Sequence, residues 1–224
     1  RTLVRHMHHV DPGEPFQHLG QWCVPGFTNW APDSLLVSNG WLRFPSNGFR
    51  LTITNRLDVM GTDTSMHKLE FSNAVVIAGS NVVLDKAVLL FRAGETSGPT
   101  FSCGGLTLTN GATLTFYSGP TNTDGANDWS ALIDVTGDIH IETNAVLYLY
   151  AHPTNGGAAL LRADNLQIAN GGMISADGGG FRGRQASQAI ARMLRIEGKE
   201  STMNTLDSSA LLEVGSACSG CKTP

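Results

Sequence analysis

An all-β chain wound as a parallel β-solenoid is the fold class this sequence predicts, and two patterns predict it. Five times a bulky apolar residue, any residue, a second apolar residue, a small residue and an asparagine follow one another: Leu35 to Asn39, Leu51 to Asn55, Leu69 to Asn73, Leu106 to Asn110 and Leu166 to Asn170. An internal repeat outranks local propensity in deciding a fold. In four of the five the apolar alternation continues past the Asn in the same parity, through Leu57 and Val59, Val75 and Ile77, Leu114 and Phe116, and Ile174 and Ala176. That parity predicts an inward Asn. A desolvated amide without partners costs about 1 to 3 kcal/mol, so Asn39, Asn55, Asn73, Asn110 and Asn170 are expected to be buried in register, each amide bonded to the next along the stack. A β-sandwich of short strands is the alternative fold, but it offers such an inward Asn no repeated partner.

Taken in order, residues 1–33 carry Pro12, Pro15, Pro25 and Pro32 with Trp22, Phe27 and Trp30 and no period-2 alternation. They are expected to form an irregular N-terminal cap, because an open solenoid end invites edge pairing. Residues 34–183 are the expected solenoid, with strands in LTITNRLDV, LEFSNAVVIAG, AVLLF, LTLTNGATLTF, IDVTGDIHIETNAVLYLY and LQIANGGMISA separated by Gly, Asn and Ser turns. The first three repeats start close together, at Leu35, Leu51 and Leu69, and suggest a tight coil with one repeat per turn. The wider gaps to Leu106 and Leu166 suggest further coils whose Asn is lost or shifted, with loops inserted at 92–105 and 117–131 and Asn144 displaced by one position. Residues 184–224 are the expected C-terminal helix and tail. Ala186, Ala189, Ile190, Met193 and Ile196 fall on one side at helical spacing and predict an amphipathic helix over 185–198, resting on apolar surface through Ile190, Met193 and Leu194; LDSSALLEVG beyond it reads as a last strand or a short helix.

Composition narrows the class. The chain has 224 residues, 41% hydrophobic and only 15% charged, with 26 Gly and a formal net charge of −4. This resembles an extracellular all-β surface more than that of a cytosolic enzyme. No basic run supports nucleic acid as a partner, and no apolar stretch reaches the length of a membrane span. The chain opens at Arg1 with neither a Met nor an apolar signal segment, as expected of a mature product or a piece of a larger protein. Its four cysteines are too sparse for a disulfide framework. Cys218 and Cys221 have CxxC spacing but lack the further ligands a zinc knuckle needs, so ordinary thiols or a local disulfide are expected.

Several groups could carry chemistry. With Ile133, Val135, Ile139 and Ile141 facing the core, Asp134, Asp138, His140 and Glu142 would share the outer face of IDVTGDIHIE. Such a face could hold an acid and a base toward a sugar, or be a solvated surface that deters aggregation. The loop TNTDGANDW offers Asn122, Asp124, Asn127 and Asp128 as oxygen ligands for calcium, or as an ordinary Asx-rich turn. Trp22, Trp30 and Trp129 are candidate sugar-stacking residues. His6 and His8 would fall on one side of an extended strand, with His9 beside them. No cofactor other than calcium is suggested.

The L-x-[IVLF]-x-N repeats together with ISADGGGFRG resemble the secreted parallel β-solenoid proteins of bacteria, of the adhesin and envelope type, over about 34–183; more distantly the chain is similar to pectate-lyase-like β-helices. That resemblance implies long side surfaces that bind a polysaccharide or another cell-surface protein, and secretion or a place in the cell envelope. No catalytic signature of the polysaccharide-cleaving members is matched residue by residue. The leading expectation is therefore a non-enzymatic structural or adhesive module. The alternatives are a polysaccharide lyase or glycosidase using Asp134, Asp138, His140 and Glu142, and a carbohydrate-binding module using its tryptophans.

Overall fold

The computed structural model describes residues 28–38, 40–61, 67–93, 99–120, 130–152 and 157–176, with the backbone of three further strands at 21–23, 194–198 and 211–213. Its strands come in successive triplets. The first is β1 (Gln21–Cys23), β2 (Asn29–Trp30) and β3 (Ser34–Ser38), and the second β4 (Trp41–Phe44), β5 (Phe49–Ile53) and β6 (Arg56–Met60). Then follow β7 (Lys68–Ser72), β8 (Ala74–Ala78) and β9 (Asn81–Asp85), and β10 (Val88–Arg92), β11 (Pro99–Cys103) and β12 (Gly105–Thr109). The next two triplets are β13 (Thr113–Tyr117), β14 (Ala131–Val135) and β15 (Asp138–Ile141), and β16 (Val146–Tyr150), β17 (Ala159–Ala163) and β18 (Asn165–Ile168). After them come β19 (Met173–Ser175), β20 (Leu194–Gly198) and β21 (Leu211–Glu213).

Every strand pairs in parallel with the strand three before or after it, except that β21 adds to β19. The result is three parallel sheets: sheet 1 from β1, β4, β7, β10, β13, β16, β19 and β21; sheet 2 from β2, β5, β8, β11, β14, β17 and β20; sheet 3 from β3, β6, β9, β12, β15 and β18. The chain is thus an all-β parallel β-solenoid, as the repeat predicts. The coil is longer than the spacing of the first repeats suggests. Lys68, Val88, Thr113 and Val146 are successive partners in sheet 1, so each interval between them is one full turn. Every one of those turns is longer than the step from Leu35 to Leu51 or from Leu51 to Leu69, and the turns are of unequal length.

Among the strands whose side chains are described, alternation places one face inside. Leu42, Leu69, Leu89, Leu114, Leu147 and Ile174 form one inward column of sheet 1, and Phe44, Phe71, Phe91, Phe116 and Leu149 form the next. The phenylalanines stack along the axis, with ring centroids 5.4 Å apart for Phe44 and Phe71, 5.8 Å for Phe71 and Phe91, and 4.6 Å for Phe91 and Phe116. Phe49 and Phe101 of sheet 2 close onto this stack at 4.5 Å from Phe44 and 6.1 Å from Phe91. Full burial of each such ring contributes about 1.5 to 3 kcal/mol. Within sheet 2, Thr100 is an extra residue: Pro99 pairs with Leu132 and Phe101 with Ile133. The Thr100 hydroxyl accepts from the Leu132 N–H at 2.8 Å and donates to the Leu132 carbonyl at 3.0 Å, replacing the ladder bonds that the bulge interrupts.

The asparagine ladder is absent from the described residues, and the expectation is corrected. Asn55, Asn110 and Asn170 are exposed and Asn73 is half-buried; Asn39 lies outside the described residues. They also stand at different corners: Asn55 between sheets 2 and 3, Asn73 between sheets 1 and 2, Asn110 and Asn170 between sheets 3 and 1. The repeat therefore marks a strand and its following corner, on any side of the coil. Asn73 and Asn110 have φ of 50° and 55°, a left-handed conformation that Asn tolerates better than most residues. At such a corner the side chain need not follow the inward parity of the strand. Asn110 Nδ2 donates to Asp85 Oδ1 at 2.8 Å, so its partner on the neighbouring coil is a carboxylate.

Two boundaries move. β1 and β2 fall within the segment read as an irregular cap, so the stack begins before residue 34. At the other end, Leu194–Gly198 is a strand paired with β17, correcting the helix predicted there; 185–193 lie outside the described residues. Leu194 and Ile196 also satisfy strand alternation, and an open sheet edge on β17 supplies hydrogen-bond partners that helical periodicity ignores. Leu211–Glu213 takes the strand form of the two read for the tail.

Candidate functional site

Sheet 3 carries the residues singled out from IDVTGDIHIE, though not all four. Ile133, Val135, Ile139 and Ile141 are buried, and Asp138 and His140 project from β15. Their side chains are each 41% exposed, with His140 Nε2 3.9 Å from Asp138 Oδ2, beyond hydrogen-bonding distance. Asp134 stands on β14 in sheet 2, where it pairs with Ser102 and Arg162, because the corner at Thr136 and Gly137 intervenes. Glu142 lies just past the end of β15, exposed, and accepts a hydrogen bond from Thr109 Oγ1.

Around Asp138 and His140 the neighbouring side chains are polar. His140 pairs between Thr107 and Gln167, and Asp138 lies beside Asn165. Asn165 Nδ2 donates to Asp138 Oδ1 at 2.7 Å. Among the described residues no three His, Cys, Asp or Glu side chains are grouped so that they could hold a metal ion. The calcium candidates Asn122, Asp124, Asn127 and Asp128, with Trp129, His6, His8, His9, Cys218 and Cys221, lie outside the described residues. Trp22 belongs to β1, of which only the backbone is described. Trp30 is half-buried and packs on the core, its ring 5.8 Å from Phe44, so part of its surface is already occupied.

The outer face of sheet 1 holds residues that sequence reasoning passed over. Arg92 lies 4.3 Å above the ring of Tyr117, which stacks on Tyr150 at 4.9 Å; Tyr148 is 6.1 Å from Tyr150. Arg92, Tyr117 and Tyr150 occupy one register column across three coils. The available signal was their common position, two places beyond Leu90, Thr115 and Tyr148 in aligned strands. Toward the N-terminal coils the same face holds Glu70, its side chain 8% exposed, with Lys68 Nζ at 3.2 Å and Arg43 Nε at 3.6 Å. Lys68 also covers the Trp41 ring at 4.7 Å.

Cys103, at the end of β11, is buried and free. Burial, with a smaller contribution from the Asp134 charge, pushes its thiol from 9.0 up to about 12. Below pH 9 the thiol is neutral in both folded and unfolded chains. Between about 9 and 12 only the unfolded thiol ionises, so stability should fall as pH rises through that window. Denaturant midpoints measured from pH 8 to 11 should therefore fall less steeply for Cys103→Ala than for the parent chain; parallel curves would refute the assignment.

Comparison of the chain with known protein families, with curated proteins and with solved structures finds no match.

Proposed function

We propose that the chain is a non-enzymatic solenoid module doing structural or adhesive work in a secreted or cell-envelope protein, with a polysaccharide or another cell-surface protein as the partner of its flat faces. The observation that carries this reading is how the outer polar groups are used. Asn110 reaches Asp85, Thr109 reaches Glu142, Asn165 reaches Asp138 and Arg43 reaches Glu70, each across neighbouring coils. These contacts join one coil to the next, and the pattern suits a stiff rod. The low charge of the chain and its resemblance to secreted solenoids support the extracellular setting.

A panel of acidic and neutral polysaccharides, incubated with the protein with and without calcium, should yield no new reducing ends and no unsaturated products. Cleavage lost on Asp138→Asn or His140→Ala would replace this reading with the lyase or glycosidase. The carbohydrate-binding alternative gains support from the row of Arg92, Tyr117 and Tyr150 with Tyr148 beside it, since aromatic and guanidinium groups commonly anchor ligands. Retention on an immobilised glycan, lost on Tyr148→Ala without a change in melting temperature, would select it.

A further inference from the structure

We propose that Asn170 is a site of spontaneous deamidation, driven by the backbone nitrogen of Gly171 and completed by water. Asn followed by Gly is the pairing in which this chemistry is least hindered, because glycine places no Cβ beside the attacking nitrogen and leaves the backbone free to rotate. The chain contains five such pairs, at Asn39, Asn47, Asn110, Asn155 and Asn170. Asn39 and Asn155 lie outside the described residues; the structure distinguishes the other three.

At Asn47 the nucleophile is held, for the Gly48 N–H donates to the Asn73 carbonyl at 2.8 Å. At Asn110 the electrophile is held, since its side-chain amide donates to Asp85 Oδ1 at 2.8 Å. Asn170 has neither restraint: its side chain is exposed, and among the described residues neither it nor the Gly171 N–H has a hydrogen-bond partner. Gly171 has φ of 80°, in the region that glycine occupies at little cost.

The Gly171 nitrogen attacks Cγ of Asn170 and gives up its proton. The bond from Cγ to the side-chain nitrogen breaks and ammonia leaves, closing a five-membered succinimide. Water then opens the imide at either carbonyl, leaving aspartate or isoaspartate and releasing the carboxyl proton to solvent. No oxidant or reductant is involved. The isoaspartyl product inserts an extra carbon into the main chain between β18 and β19. It does so beside Gly172, whose N–H donates to the Ala169 carbonyl at 2.8 Å and where a Cβ would stand 2.6 Å from the Ile141 carbonyl. Ageing should therefore loosen the attachment of β19.

The test is peptide mapping by mass spectrometry of the folded protein during prolonged incubation at neutral pH, with urea-unfolded protein as the reference. Amide loss at Asn170 should run several-fold faster than at Asn47 or Asn110 in the folded chain, and the three rates should converge in urea. Asp85→Ala should raise the rate at Asn110 and leave that at Asn170 unchanged. The proposal is overturned if folded Asn170 converts no faster than Asn47 and Asn110, or keeps its amide while the unfolded reference loses it.

Discussion

Replacing Phe91 by alanine should destabilise the solenoid by about 3 to 5 kcal/mol, the range for emptying a fully buried aromatic site. Phe91 is fully buried and touches the stack on every side: Phe116 at 4.6 Å, Phe71 at 5.8 Å and Phe101 at 6.1 Å. Neighbouring coils are held in register by parallel backbone ladders, so they cannot easily close on the cavity. The measurement is the urea midpoint, with the slope checked for constancy so that the shift reports stability. Tyr148→Ala, on the outer face, serves as the comparison. Equal losses for the two variants would mean that the phenylalanine column does not hold the coils together.

Gly79→Val should cost about 1 to 3 kcal/mol or more, the scale of overpacking. A Cβ there would stand 2.6 Å from the Thr54 carbonyl and 3.4 Å from that of Ile53. The Gly79 N–H already donates to Ile53 at 2.6 Å, so the corner is drawn against the coil before it. Gly137, whose Cβ would meet the Gly104 carbonyl at 2.7 Å, marks the same tight corner farther along the stack. Gly40→Ala is the control, because the nearest atom there is 3.9 Å away. Thermal melting should separate the two; similar losses would show that close coil approach is not what Gly79 secures.

The strands were legible because alternation is local. Leu106 and Leu108, or Ile139 and Ile141, declare their inward face within a short segment, and strands of that kind in an asparagine-marked repeat point to a solenoid. What pairs with what was not legible. Phe44, Phe71, Phe91 and Phe116 align across coils of unequal length, so their spacing in sequence hides the column they form. Corners defeated the rest. A left-handed Asn110 turns out to solvent, although the residues on either side of its corner keep their parity. The corner at Thr136 and Gly137 sends Asp134 and Asp138 to different sheets, although both point outward as alternation requires. Corner geometry depends on contact with adjacent coils, which no single segment encodes. The tyrosines of sheet 1 form a row for the same reason and escaped notice with it.

The most direct test of the solenoid is a series of spin-label distances along one outer column of sheet 3. Leu36, Asp58, Val83, Thr107, His140 and Gln167 are successive partners in that column. With Cys23, Cys218 and Cys221 replaced by serine and buried Cys103 left in place, one label is fixed at Gln167 and the other moved among Val83, Asp58 and Leu36. Strands in a sheet lie about 4.8 Å apart, so the separations should be about 14, 19 and 24 Å, rising by a constant step. Separations that fail to rise with each strand, or that fall between Asp58 and Leu36, would contradict a continuous parallel stack.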